Sequence, residues 1–213
     1  MAKQKEDQLY KKIVIFYDFI FKLVGYNNFI KYIINNKIDA SKKHKILDVG
    51  CGTGLSTLIL KNKFKSAKIT CVDNSEEMIA ECLSKIKNAE YILGDFNNRK
   101  TFVNAKTKKK KQLENNSFDL ILSAGAVSEY GDLDKSLPII FSFLKKDNLF
   151  LNIGVRKNFI NKLIGNFWGY NARSPDEFIL KCKKAGFREV NKIKVPWLMF
   201  YLKYRYFVAV ARK

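Results

Sequence analysis

Three glycines at alternate positions, Gly50, Gly52 and Gly54, separate the apolar run Lys45–Val49 from the helix-patterned stretch Leu55–Phe64. Few folds accommodate such a junction. A strand has to enter a turn that needs residues without a Cβ, and a helix has to leave it with its first amides facing outward. Asp73 closes the next apolar run, Lys68–Val72, about 20 residues downstream, where an acid typically grips ribose hydroxyls. Loop, helix start and spaced acid together read as a nucleotide-binding strand–turn–helix. The dinucleotide fingerprint G-x-G-x-x-G is not met, because Leu55 or Thr57 stands where its last glycine belongs.

The alternation of short apolar runs and amphipathic stretches continues, which predicts a parallel α/β sheet. Tyr91–Leu93 reads as a third strand, Phe118–Ser123 as a fourth, and Asp147–Val155 contains a fifth. In the helix after the loop, Leu55, Leu58, Ile59 and Leu60 are expected to face inward. Ser75 should cap the next helix, with Glu76 and Glu77 in its first turn and Met78, Ile79, Leu83 and Ile86 facing inward. Further helices are predicted from about Leu133 to Leu144, and from Pro175 to Ala185 with Ser174 as cap and Gly186 as stop. Phe187–Val195 and Lys203–Ala211 read as a terminal antiparallel pair.

With 213 residues, 47% of them hydrophobic, the chain suits one domain with a full core. Residues 1–40 are helical in pattern and predict an N-terminal helical cap over the sheet's carboxyl edge, ahead of a single globular unit over 41–213. Lys100–Asn116, with its run of lysines from 108 to 111, reads as a polar, solvated insertion before the fourth strand.

Composition excludes several chemistries. Cys51, Cys71, Cys82 and Cys182 stand apart, with no CxxC pair, which argues against zinc, iron–sulfur or a disulfide framework and fits a reducing cytoplasm. The single histidine, His44, rules out a Ser-His-Asp triad and is expected at the surface before the first strand. Ile13–Val24 and Val195–Val210 are too short or too interrupted for the ~18–20 apolar residues of a transmembrane helix. A soluble protein, at most lying on a membrane surface, is expected. The net charge of +20 comes from 34 Lys and only 6 Arg among the 40 basic residues. It reads either as a lysine-biased composition or as a basic face for RNA, anionic lipid or an acidic substrate, and the scarcity of Arg weakens the nucleic-acid reading.

Ile46-Leu47-Asp48-Val49-Gly50-Cys51-Gly52-Thr53-Gly54 resembles motif I of class I S-adenosylmethionine methyltransferases. Cys71-Val72-Asp73-Asn74-Ser75 with Met78-Ile79 resembles the second motif, and Gly94-Asp95-Phe96 the third. Asn116–Ile121, Leu144–Asn148, Ser174–Phe178 with Lys184–Phe187, and Tyr206–Arg212 resemble later family segments, although the proline and glycines usual in the second of these are absent. The resemblance implies a Rossmann-like seven-stranded sheet in the order 3-2-1-4-5-7-6, with strand seven antiparallel and helices on both faces. It implies S-adenosyl-L-methionine as cofactor. Asp48 and Gly50 would hold its methionine end, Asp73 its ribose, and Asp95 and Phe96 would lie beside adenine. Cys51, Gly52, Gly54, Asn74, Met78 and Ser123 complete the expected cofactor shell.

A sulfonium methyl is already activated, so transfer needs alignment with an acceptor more than it needs acid–base groups. Acceptor-side residues are expected after the fourth strand, in Ser123–Tyr130. There Glu129 and Tyr130 are the candidate catalytic residues, Glu129 to orient or deprotonate an amine or phenol. Phe16-Tyr17-Asp18 loosely resembles the Tyr-Asp of quinone-ring methyltransferases. An aromatic flank, Phe159, Phe167, Trp168, Tyr170, Trp197, Phe200, Tyr201 and Tyr204, interleaves with Lys162, Arg173, Lys203 and Arg205. It predicts a small, apolar or lipid-like acceptor, or contact with an anionic membrane. An RNA or ribosome-linked acceptor and a non-catalytic cofactor-binding domain stay open as alternatives.

Overall fold

The computed structural model describes residues 23–39 and 45–213, apart from the side chains of Phe167, Trp168 and Leu198. Phe16-Tyr17-Asp18, His44 and the first part of the expected cap lie outside the described residues. The elements are, in chain order, α1 (Tyr26–Lys37), β1 (Lys45–Val49), α2 (Leu55–Lys63), β2 (Lys68–Asp73), α3 (Glu76–Lys85), β3 (Glu90–Leu93) and β4 (Val103–Asn104). Then follow β5 (Phe118–Ala124), α4 (Val127–Tyr130), α5 (Leu133–Phe143), β6 (Leu144–Val155), α6 (Phe159–Trp168), α7 (Pro175–Lys184), β7 (Glu189–Lys192), α8 (Phe200–Arg205) and β8 (Tyr206–Arg212).

The strands form one sheet in the order β4-β3-β2-β1-β5-β6-β8-β7. Pairing is parallel from β3 through β6, and β8 runs antiparallel to both β6 and β7. Without β4 this is the expected seven-stranded order. The eighth strand is a correction to the reading of Lys100–Asn116 as a solvated loop. Leu93 and Ile92 pair with Val103 and Asn104, and Val103 bridges to Lys110, so the insertion folds as a small hairpin on the sheet edge. Two of its lysines are engaged, Lys108 with Glu76 at 2.6 Å and Lys111 with Glu90 at 2.5 Å. The lysine run marks the turn of an edge hairpin, whose backbone partners lie on β3.

Strand residues alternate between two cores because the pleat sends successive side chains to opposite faces. Ile46, Leu120, Leu122, Leu151 and Ile153 face α1, α2 and α3, while Leu47, Val49, Ile121 and Phe150 face α5 and α7. The described helix of the N-terminal segment, α1, sets Phe29, Ile30, Ile33 and Ile34 into the first core with almost no exposure. Lys63 at the end of α2 donates to the carbonyls of Ile34 and Asn35, each at 2.8 Å, satisfying acceptors at the end of α1.

Two local expectations change. In α2, Leu58 is exposed, whereas Ser56, Thr57 and Leu60 are buried. The inward face carries small polar residues because it covers a carboxylate, described below. Ser75 does cap α3, accepting from the Met78 amide at 3.2 Å, but Ser174 makes no side-chain cap bond to α7.

Candidate active site

The loop after β1 is fixed from beneath. Gly50 and Cys51 both donate to the Val72 carbonyl, at 2.7 and 3.2 Å, which ties the turn to β2. Gly50 has φ +68°, and a Cβ built there would lie 2.1 Å from Cβ of Ala126, so only glycine allows this approach of the loop to the segment after β5. Gly52 has φ +54°, and a Cβ there would meet nothing within 4 Å. Its amide donates to Asp73 Oδ2 at 2.8 Å, and Asp73 Oδ1 accepts from Ser75 at 3.0 Å. Loop and acid thus share one corner, with open space in front of Gly52. Burial raises the Asp73 carboxyl above its usual range, and amide donors, among them those of Ser75 and Gly52, oppose the rise.

Asp48 is fully enclosed. Its Oδ2 accepts from Ser56 Oγ at 2.7 Å and Thr57 Oγ1 at 2.6 Å, and its Oδ1 has no partner. Burial pushes its carboxyl up to about 7, against the pull of the two hydroxyls. Asp48 therefore braces the loop against the first turn of α2. Ser56 and Thr57 were missed in the sequence, and their only signal was polarity at two consecutive positions among the apolar residues of the first half of α2.

The cysteines, far apart in sequence, are not isolated in space. The sulfurs of Cys51, Cys71 and Cys82 all lie within 4.8 Å of one another, buried behind the loop. Thr57 Oγ1 touches two of them, at 3.7 Å from Cys71 and 3.9 Å from Cys82. A loop, a strand and a helix each supply one thiol, a convergence that spacing along the chain does not reveal.

At the other expected positions the structure distinguishes exposure from burial. Asn74 is exposed and Met78 half-buried beside the corner. Asp95 is partly open at the end of β3, with Oδ1 accepting from Asn97 at 2.8 Å. The Phe96 ring packs into the second core, 5.4 Å from Phe102 and 6.3 Å from Phe143. Ser123 is fully buried and accepts from the Val127 amide at 3.0 Å, holding the start of α4.

Glu129 lies inside the fold, between the carboxyl ends of β5 and β6. It accepts from the Val155 amide and, at 2.8 Å, from Ser128 Oγ, and Ser128 in turn accepts from Asn152 Nδ2 at 3.1 Å. Arg173 closes the network, donating to the Ser128 carbonyl at 3.2 Å and the Gly131 carbonyl at 3.3 Å. Burial raises the Glu129 carboxyl to about 7. Its neighbour Tyr130 is 59% exposed, on the outer side of α4. Of the aromatic flank, Tyr170 is half-buried, whereas Phe159, Trp197, Phe200, Tyr201 and Tyr204 are exposed. The aromatics that do reach the carboxyl edge are Tyr26 and Tyr206, whose rings lie 4.7 Å apart. A Cβ at Gly125 would sit 3.6 Å from the Tyr26 hydroxyl.

Known proteins of similar sequence and similar fold are methyltransferases. A methyltransferase domain model matches residues 40–178. A demethylmenaquinone methyltransferase of Leptospira interrogans is 30% identical over 145 residues, covering 65% of this chain and 53% of that protein. The chain thus spans about half the length of that relative. The fold matches phosphoethanolamine N-methyltransferase 2 of Haemonchus contortus in complex with S-adenosyl-L-methionine, with TM-score 0.67 and 18% identity over 87% of this chain and 52% of that one. It also matches an S-adenosylmethionine-dependent methyltransferase from Aquifex aeolicus, with TM-score 0.64 and 19% identity over 85% and 88% of the two chains. The glycine corner, the strand order and the domain match agree, and the chain belongs to the methyltransferase domain family, the class I S-adenosylmethionine-dependent enzymes.

Proposed function

We propose that this chain transfers a methyl group from S-adenosyl-L-methionine to a small, apolar acceptor of lipid or quinone type, positioned where β5 and β6 end. The corner formed by Gly52 and Asp73 carries the cofactor half of this reading. An open glycine faces a carboxylate that its own amide orients, which suits a ribose diol gripped at close backbone approach. Gly50, Gly52 and Gly54 would line the methionine end, Asp73 would hold the ribose, and Asp95 with Asn74 and Met78 would border the adenine. Asp48 acts beneath this site rather than in it, keeping the loop's shape through Ser56 and Thr57.

When bound, the cofactor supplies an activated methyl for in-line displacement. The chain's task is to align the acceptor and exclude water, an effect that can contribute about 7–11 kcal/mol. Glu129 serves as a positioning residue: its carboxyl joins the end of β6 to α4 and so sets the wall opposite the glycine loop. Tyr26 and Tyr206 pack behind that wall and the half-buried Tyr170 lies beside them, aromatic surroundings consistent with an apolar acceptor. The name of the Leptospira relative, which specifies a quinone, points to the same class.

Calorimetric titration of the purified chain with S-adenosyl-L-methionine tests the site. Micromolar binding is expected, weakened about ten- to a hundredfold by Asp73→Ala, in line with about 1.5–3 kcal/mol for hydrogen bonds to a charged group. Absence of binding by the folded wild-type chain refutes the cofactor assignment. Transfer of labelled methyl to a demethylated isoprenoid quinone then tests the acceptor class. Cofactor binding without such transfer retires the quinone and leaves the site intact.

A further inference from the structure

One surface next to this site has no task in the reading above. α6 begins four residues after β6 ends, and it exposes Phe159 (76%), Ile160 and Leu163. Its inner side is pinned by the buried Asn161, whose Nδ2 donates to the Arg156 carbonyl at 2.7 Å and the Arg205 carbonyl at 2.9 Å. Asn158 Nδ2 donates to the Tyr204 carbonyl at 2.6 Å. These bonds join α6 to the turn and helix that lead into β8, where Trp197 (79%), Phe200 and Tyr204 are exposed in their turn. The Tyr201 hydroxyl donates to the Val24 carbonyl at 2.9 Å and brings the exposed Leu23 and Val24 to the same side. Large exposed side chains gathered on adjacent elements mark a docking surface.

Its charge selects the partner. Residues 148–175 and 190–213 contain no Asp or Glu, yet carry four and six basic residues respectively. Lys157 and Lys162, before and within α6, and Lys194 and Lys203, before the turn and within α8, are exposed. Exposed aromatics and aliphatics interleaved along these elements with lysine, with no acid among them, match the boundary between anionic headgroups and acyl chains. Ile160 and Leu163 have no role against an RNA backbone, whereas acyl chains receive them directly. No described helix is long and apolar enough to cross a membrane, so contact would be with the surface.

We infer that α6, α8 and the turn before α8 dock this protein on the surface of an anionic bilayer. Because Val155 at the end of β6 pairs with Tyr206 at the start of β8, this face adjoins the carboxyl edge where the acceptor wall stands. Docking would therefore turn that edge toward the lipid that holds the acceptor, a consequence that rests on the proposed acceptor class, whereas the docking itself does not.

The test is sedimentation of the full chain with phosphatidylcholine vesicles, with and without phosphatidylglycerol. A Trp168→Phe variant leaves Trp197 as the only indole. At least about tenfold tighter binding to the anionic vesicles is expected, as a few lysines at about 1 kcal/mol each imply, with a blue shift of Trp197 emission. The double variant Phe159→Glu with Phe200→Glu should lose that binding while its calorimetric affinity for S-adenosyl-L-methionine, and hence its fold, is unchanged. Equal binding by the double variant, no preference for anionic lipid, or an unshifted Trp197 overturns the proposal, as does preferential retention on RNA when both are offered. Vesicle binding without transfer to a quinone keeps the docking face and retires only the acceptor class.

Discussion

The glycine-loop half of the sheet and its acceptor half are both closed by hydrogen bonds, yet over very different stretches of chain. At the loop, Asp48 reaches Ser56 and Thr57 eight and nine residues away, and Gly52 reaches Asp73 across 21. At the acceptor edge, Val155 meets Glu129 across 26 residues, Arg173 meets Ser128 across 45, and Tyr201 meets Val24 across 177. The first half is a local device that any strand–turn–helix of this composition can build. The second exists only once the whole sheet has assembled, and its polar groups serve packing before chemistry. In the proposed function, the short-range half binds the common cofactor and the long-range half chooses the acceptor.

The largest effect is expected where the halves touch, at Gly50 and Ala126. Gly50→Val should abolish measurable binding of S-adenosyl-L-methionine, a loss of at least about a hundredfold. A β-branched side chain there combines a positive φ with a steric overlap. Circular dichroism should still report the sheet and helices. If the variant binds normally, the loop does not depend on its contact with the acceptor half.

A smaller effect, confined to the acceptor half, should follow Glu129→Ala. It removes the acceptor of the buried Val155 amide and is expected to cost about 2–3 kcal/mol in urea unfolding, with cofactor affinity changed less than about threefold. Glu129→Gln should recover much of that stability. The pH dependence has a definite sign. Asp48 and Glu129 titrate near 7 in the folded chain and near their ordinary values when unfolded, so the folded state holds the protons more tightly. Their contribution is complete below about pH 4 and declines as pH rises through 7, so the unfolding midpoint should drop by several degrees between pH 5 and pH 8. Glu129→Gln should flatten that slope. An unchanged slope would mean that the carboxyl is ionised in the fold and paired with Arg173.

The smallest effect is reserved for the insertion. Lys108→Ala with Lys111→Ala removes one exposed and one half-buried ion pair at the surface and should change stability by less than about 1 kcal/mol. A larger loss would make these pairs, and not the backbone ladder to β3, the support of the hairpin.

The same contrast explains what was legible. Alternating apolar runs with Gly, Ser and Pro punctuation predicted the strands and most helices, because these signals act within one element, whereas the strand order came from the resemblance to a known family. The contact between Gly52 and Asp73 follows from a spacing legible along the chain, whereas Asp48, expected at the cofactor's methionine end, is turned under the loop toward Ser56 and Thr57. Ser56, Thr57 and Ala126 were missed because their roles depend on what packs behind or across from them. The burial of the Phe96 and Ser123 side chains is likewise set by tertiary packing, which no local pattern announces. The thiol cluster and the Glu129 network arise from long-range convergence, for which no local pattern exists.

The hairpin at β4 bears on how the protein behaves at high concentration. A parallel sheet exposes unpaired amides and carbonyls along its first strand, and a neighbouring molecule can add a strand there. Here Val103 and Asn104 occupy that row beside β3, and the lysine-bearing turn that follows puts positive charge at its end. At the opposite margin, β7 is four residues long, with Glu189 and Lys192 exposed. Long apolar strands are thus confined to the middle of the sheet, and growth of the sheet from one molecule into the next is blocked at both ends.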